Sequence, residues 1–167
     1  EILKHCTDIS EEFRVVDNTI GKDGFNSLSN YGYIVRLREK KGIKTLECKK
    51  RLNNNEWEEY ITEVNDFSNV LKMFYVMGYT PYLLLDKRRV SAKYDNLILE
   101  FDEVSLLGNY IEIEYQESDL ESVNEFINKF NINNNPEKLY GDIFKEKIEK
   151  DKVFQEEFQN KLNNYLK

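Results

Sequence analysis

Residues 97–116, Leu-Ile-Leu-Glu-Phe-Asp-Glu-Val-Ser-Leu-Leu-Gly-Asn-Tyr-Ile-Glu-Ile-Glu-Tyr-Gln, constrain the fold more than any other stretch of this chain. Two period-two runs flank a short glycine-containing turn, the pattern of an antiparallel hairpin. Side chains alternate across a strand, so Glu100 and Asp102 share one face, and Glu112 and Glu114 share one face of the next strand. The opposite faces carry Leu97, Leu99 and Phe101, then Ile111, Ile113 and Tyr115, a surface suited to a core. Such a hairpin, oily on one side and carboxylate on the other, needs something cationic to meet its acids.

Other segments repeat the alternation. A short strand is expected at 13–17, and another at 33–39, with Tyr33, Val35 and Leu37 on one face and Arg36 and Arg38 on the other. After a turn-like spacer at 41–44, residues 45–52 set Leu46 and Cys48 against Thr45, Glu47, Lys49 and Arg51. Asn53-Asn54-Asn55 marks a loop, and 57–64 reads as the antiparallel partner. Pro81 opens a longer strand over about 82–94, which Asp95-Asn96 turns into the acidic hairpin. Helices punctuate this sheet. Asp66 is placed to cap one whose stripe is Phe67, Val70, Leu71 and Phe74, ending at Gly78. Ser118-Asp119-Leu120-Glu121 has capping-box form ahead of Val123, Ile127 and Phe130. Asn133-Asn134-Asn135-Pro136 is a linker into further helix, where Leu139, Ile143, Phe144, Ile148, Phe154, Phe158, Leu162 and Tyr165 keep an apolar stripe. That tail is expected to pack on the sheet or on a partner chain. The class is α+β, dominated by antiparallel sheet, in one domain.

Bulk properties exclude some functions. A net charge of −7 and a pI near 5.0 argue against nucleic acid or anionic membrane as a partner, since both need a basic field. Cys6 and Cys48 form no disulfide framework and no zinc spacing, which fits a reduced, cytoplasmic protein. No apolar run approaches the length of a membrane span.

The polar faces of the strands are ionic, with signs sorted by strand. Arg36 and Arg38 lie on one, Lys49 and Arg51 on another, Lys87, Arg89 and Lys93 on a third, and the acids on the hairpin. One reading is a solvated face laced with surface ion pairs, each contributing little. The other is a sheet curled so that these faces line a polar interior, balanced by a polyanion and divalent cations. A triphosphate suits that interior, because Arg forks and Lys point charges bind its oxygens. Hard Mg²⁺ or Mn²⁺ prefers carboxylate oxygens and leaves positions open for phosphate. No glycine-rich phosphate loop is present, and His5 and Cys48 read as structural.

Arg36-Leu37-Arg38, Leu46-Glu47-Cys48-Lys49, Lys87-Arg88-Arg89, Phe101-Asp102-Glu103-Val104, Leu107-Gly108 and Glu112-Ile113-Glu114, in that order, resemble the CYTH family of triphosphate tunnel metalloenzymes. That family holds class IV adenylyl cyclases, thiamine triphosphatases and inorganic triphosphatases. The resemblance runs from about Val16 to Glu114, and more loosely to Tyr140-Gly141-Asp142-Ile143-Phe144. It implies an eight-stranded antiparallel barrel with flanking helices in a single domain over 1–167, with the barrel core at about 13–116 and helices at about 118–167. By matching position, Arg36, Arg38, Lys49, Lys87 and Arg89 would meet phosphate oxygens. Asp102, Glu112 and Glu114 would hold Mg²⁺ or Mn²⁺, with Glu100 nearby and Glu59 as the match to a further acidic position. Ile61 stands where an acid is common.

The family opens with a Glu-x-Glu-x-Lys strand that supplies metal ligands and a catalytic lysine. This chain has no such motif, and Glu1-Ile2-Leu3-Lys4 reads as the end of the helix that follows it, so no catalytic residue is assigned. The expectation is a barrel whose first strand is missing from this chain, exposing two edges that invite pairing, with a second copy of the chain as one candidate. The resemblance implies a metal-dependent hydrolase of a triphosphate-containing small molecule: inorganic, thiamine or nucleoside triphosphate. The alternatives are a cyclase converting ATP to cyclic AMP and pyrophosphate, and a non-catalytic polyphosphate-binding module. Tyr31, Tyr33, Tyr110 and Tyr115 are candidates to stack on a base, or else pack in the core or rim.

Overall fold

The computed structural model describes residues 1–53, 56–132 and 138–166, and of Glu117 the backbone. Seven strands alternate with five α-helices: β1 Phe13–Gly21, α1 Ser27–Tyr31, β2 Tyr33–Lys40, β3 Ile43–Arg51, β4 Trp57–Glu63, α2 Phe67–Val76, β5 Thr80–Tyr94, β6 Leu97–Val104, β7 Gly108–Glu114, α3 Leu120–Phe130, α4 Tyr140–Lys150 and α5 Lys152–Tyr165. The sheet order is β4-β3-β2-β1-β5-β6-β7. The α+β antiparallel class is as expected. The eightfold barrel is a loose description, because the described residues supply seven strands and hydrogen bonds do not close the sheet.

Two compact units divide the chain, Glu1–Arg14 with Lys87–Lys138, and Val15–Asp86 with Leu139–Lys167. In the first, the apolar faces of β6 and β7 do what their alternation demands. Leu97 and Leu99 are buried with Val123 and Phe126 of α3, and Phe101, Ile111 and Ile113 pack against that cluster. Tyr94 meets Phe126 edge-on at 5.0 Å between ring centroids. Tyr115 falls just beyond β7 and is exposed, so it does not join the core face as expected.

In the second unit, β1 is buried on both faces from Val15 to Gly21, and it is longer than the strand expected at 13–17. The C-terminal stripe packs within this unit: Phe144, Phe154, Phe158 and Leu162 are buried, with Phe144 5.3 Å from Phe158 between centroids. It belongs to two helices, divided at Asp151, whose carboxylate caps α5 by accepting from the Val153 and Phe154 N–H groups. Asp66 caps α2 as expected, accepting from the Asn69 N–H at 3.0 Å.

Turn chemistry shifts some expected bounds. Only Lys41-Gly42 separates β2 from β3; both have positive φ (52° and 79°), the geometry that suits the twist of a two-residue hairpin and favours glycine. Ile43 and Lys44, expected in the spacer, are therefore strand residues. The capping box at Ser118 does not form. A 3-10 turn over Glu117–Asp119 precedes α3, and the Asp119 carboxylate instead accepts from the Gln116 N–H at 3.1 Å. The expected loop at Asn54-Asn55 and linker at Asn133 to Pro136 lie outside the described residues.

Candidate functional site

Register brings the arginines of β2 onto acids of both neighbouring strands. Asp17 of β1 lies directly opposite Arg38, and Glu47 of β3 directly opposite Arg36. Arg38 grips Asp17 with two hydrogen bonds, Nε to Oδ1 at 2.6 Å and Nη2 to Oδ2 at 2.7 Å. Arg36 Nε donates to Glu47 Oε2 at 2.6 Å. The diagonals close the array, Arg36 to Asp17 and Arg38 to Glu47, both at 3.6 Å. Thr45 Oγ1 donates to Glu47 Oε1 at 3.0 Å. The arginine side chains keep 16% and 19% exposure, against 1% for Asp17 and 5% for Glu47. The acids thus anchor from below, and solvent meets guanidinium. Lys49 pairs with Glu59, its register partner on β4, at 2.5 Å. This group of six is neutral: Arg36, Arg38 and Lys49 against Asp17, Glu47 and Glu59.

The other unit reverses the layering. Arg89 of β5 faces Asp102 of β6 and donates twice at 2.6 Å, from Nε to Oδ1 and Nη2 to Oδ2. Lys87 Nζ donates to Asp102 Oδ2 at 2.7 Å and reaches Glu112 at 3.4 Å. Glu100 and Glu112 are directly opposite each other on β6 and β7, a repulsive pairing on its own. Arg89 contacts both and so relieves it, while Ser91 Oγ donates to Glu100 at 3.2 Å. Burial works against the charged forms here. For Asp102, hydrogen bonds and charge from Arg89 and Lys87 outweigh it and hold the carboxyl below its ordinary value. For Arg89, the hydrogen bond to Asp102 and the charges of Glu112, Asp102 and Glu100 outweigh it and raise the pKa. Lys87 is 2% exposed and Glu112 is 42% exposed, so solvent meets carboxylate on this face.

The remaining candidates occupy other positions. Glu114 is exposed at the end of β7, opposite Ile98. Tyr33 shares the face of Val35 and Leu37, away from Arg36, and its hydroxyl lies 2.6 Å from that of Tyr79, which pushes its pKa up to about 12. Tyr31 packs beside it, 6.0 Å between ring centroids. Tyr110 stands opposite Asp102 in register. His5 packs on Phe130, a structural role. Sequence reasoning missed Asp17 and Glu47 as members of the charged array. Their signals were a polar Asp17-Asn18-Thr19 run inside an apolar strand, and a Glu sharing the parity of Thr45 and Lys49.

Among the described residues, no three Asp, Glu, His or Cys side chains form a ready metal cage. The donor chemistry still fits a hard divalent cation. Mg²⁺ characteristically takes one or two carboxylates and completes its shell with water and phosphate. Glu112, a half-exposed carboxylate on this face, is of the chemical kind such a cation takes.

A comparison with protein families matches the CYTH domain over residues 9–143. No curated protein matches the chain. Among solved structures, the PH1819 protein of Pyrococcus horikoshii is 16% identical, with a TM-score of 0.71 over 87% of this chain and 90% of that one. A candidate adenylate cyclase of Bacillus halodurans is 21% identical, with a TM-score of 0.59 over 77% and 80%. A candidate adenylyl cyclase of Hippeastrum, described with a dominant triphosphatase activity, is 15% identical, with a TM-score of 0.51 over 74% and 76%. These likenesses concern the fold, whereas the domain match covers most of the sequence: this chain belongs to the CYTH domain family.

Proposed function

We propose that this chain is a metal-dependent phosphohydrolase acting on a triphosphate. The layering of charge carries the reading. Guanidinium groups are outermost over Asp17 and Glu47, which suits phosphate oxygens, and carboxylate is outermost over Lys87 and Arg89, which suits a cation. Arg36, Arg38 and Lys49 take phosphate oxygens, with Lys87 and Arg89, the least accessible of the five, on the same duty. Planar forks held from behind by buried acids lose little freedom when they bind a second anion. Glu112 would be the accessible donor to Mg²⁺ or Mn²⁺, with Asp102, Glu114 and Glu100 as the neighbouring acids and water and phosphate completing the shell. Such a cation, when bound, neutralises charge on the phosphate oxygens, the main demand of phosphoryl transfer. The Hippeastrum relative's triphosphatase activity supports hydrolysis.

A cyclase is the second reading, favoured by the structural neighbours described as adenylate cyclases. Product analysis separates the two. Protein with Mg²⁺ or Mn²⁺ is supplied with tripolyphosphate, thiamine triphosphate or ATP. Free phosphate is the expected product. Cyclic AMP with pyrophosphate would replace hydrolysis by cyclisation, and binding without any product would make the chain a triphosphate-binding module.

A further inference from the structure

The ionic face of β2 and β3 carries its cations in a row. The register sets Arg38 opposite Thr45, Arg36 opposite Glu47 and Lys49 opposite Ile34, and Arg51 comes next on the same face of β3. Same-face neighbours on a strand are about 7 Å apart, so four cations follow one another along a track two strands wide. Three of them lean on carboxylates: Arg38 on Asp17, Arg36 on Glu47 and Lys49 on Glu59. Arg51 meets no carboxylate among the described residues. Its guanidinium instead lies over the ring of Trp57, its register partner on β4, with the guanidinium carbon 4.9 Å from the ring centroid. Arg51 is exposed and Trp57 half-buried, so an indole backs a charged plane that is open to solvent. The Arg51 N–H donates to the Gly32 carbonyl at 2.8 Å, and a Cβ added at Gly32 would meet nothing within 4 Å, which leaves that flank open.

Phosphate alone does not call for an aromatic residue on this face. Its oxygens take N–H donors and positive charge, which Arg38, Arg36 and Lys49 supply. A flat guanidinium backed by an indole adds stacking, because arginine planes and aromatic rings both take the π-faces of bases. Lying on Trp57 also fixes the plane of Arg51, which lowers the freedom it loses when a ring settles on it. The spacing agrees. One same-face step, about 7 Å, parts Lys49 from the stack, room for the single sugar that joins a nucleobase to its first phosphate. The charge of Arg51 selects further: it repels a cationic ring such as a thiazolium and accepts an uncharged one. We propose, on the footing of the triphosphate reading, that Arg51 and Trp57 seat the planar, uncharged ring of a nucleoside triphosphate whose phosphates run along Lys49, Arg36 and Arg38.

Calorimetric titrations of ATP, tripolyphosphate and thiamine triphosphate test this, in a chelator that removes divalent metal and so stops turnover. ATP should bind on the order of tenfold more tightly than either of the others. Arg51→Lys keeps the charge and removes the plane, and Trp57→Leu keeps an apolar floor and removes the ring. Each should close the gap between ATP and tripolyphosphate. Trp57 is the chain's only tryptophan, so its fluorescence should respond to ATP and not to tripolyphosphate. Equal affinities for ATP and tripolyphosphate, or an ATP advantage that survives both substitutions, would overturn the ring seat and leave the triphosphate reading standing. An advantage confined to thiamine triphosphate would overturn the uncharged base. If none of the three anions binds, with chelator or with Mn²⁺, the triphosphate reading and this inference fall together.

Discussion

Replacing Asp102 with Asn keeps the side chain's shape and removes one charge from the array beneath Glu112. Asp102 is fully buried and accepts two hydrogen bonds from Arg89 at 2.6 Å and one from Lys87 at 2.7 Å. Breaking a buried ion pair by removing one partner costs about 3–5 kcal/mol, because the other charge is left buried and uncompensated. Glu100 still contacts Arg89 and Glu112 still reaches Lys87, so the lower end, about 3 kcal/mol, applies. For a chain of this length that is a fall in melting temperature of roughly 6–12 °C. Urea unfolding of both proteins at neutral pH, repeated toward acid, reads the effect. The sign with pH follows from the direction of the shift. Burial alone would raise the Asp102 pKa, but Arg89 and Lys87 prevail and depress it. A depressed carboxyl contributes its stability above the unfolded value, about 3.9, and loses it as pH falls through the folded value. The gap between the two proteins should hold into mild acid and close only below that unfolded value. A gap under about 1 kcal/mol at neutral pH, the size of a surface pair, would refute the buried array. So would a gap that closes between about pH 5 and pH 7.

Asp17→Asn and Glu47→Gln should be non-additive in urea unfolding, with a coupling of about 0.5–3 kcal/mol, because both acids contact Arg36 and Arg38. Additive losses would mean two separate pairs. Phe126→Ala should cost about 3–5 kcal/mol of stability, since that ring is fully buried against Leu97, Leu99 and Val123. Lys49→Met should cost less than about 1 kcal/mol, because the Lys49–Glu59 pair is partly exposed on both sides. Asp66→Ala should cost about 1 kcal/mol through loss of the α2 cap, read by the same unfolding curves.

Alternation makes the strands of the sheet readable in the sequence itself. Val35 and Leu37 against Arg36 and Arg38, or Leu97 and Leu99 against Glu100 and Asp102, fix both the strands and the charged face. What alternation cannot supply is which strands lie side by side, and hence which charges meet. Asp17 on Arg38 and Glu47 on Arg36 are facts of register, set by the Lys41-Gly42 turn and by the pairing of β1 with β2. The acids of the hairpin are legible, but not that Lys87 and Arg89 of the adjacent strand already meet them. The C-terminal stripe reads as one run because its apolar spacing continues past Asp151. The break lies in a cap, a local hydrogen-bonding choice that periodicity does not register. The capping box at Ser118 fails for a similar reason, since the Asp119 carboxylate has a backbone donor closer to hand at Gln116.

The most direct test of the central claim uses Glu112, which is half-exposed and so can be altered with little cost to the fold. Calorimetric titration of tripolyphosphate is run with and without Mn²⁺, on the unaltered protein and on Glu112→Gln, with released phosphate measured in parallel. The account predicts binding that Mn²⁺ strengthens, phosphate release from the unaltered protein, and loss of both the Mn²⁺ effect and the turnover in the variant. Binding and turnover indifferent to both Mn²⁺ and Glu112, or no tripolyphosphate binding at all, would contradict it.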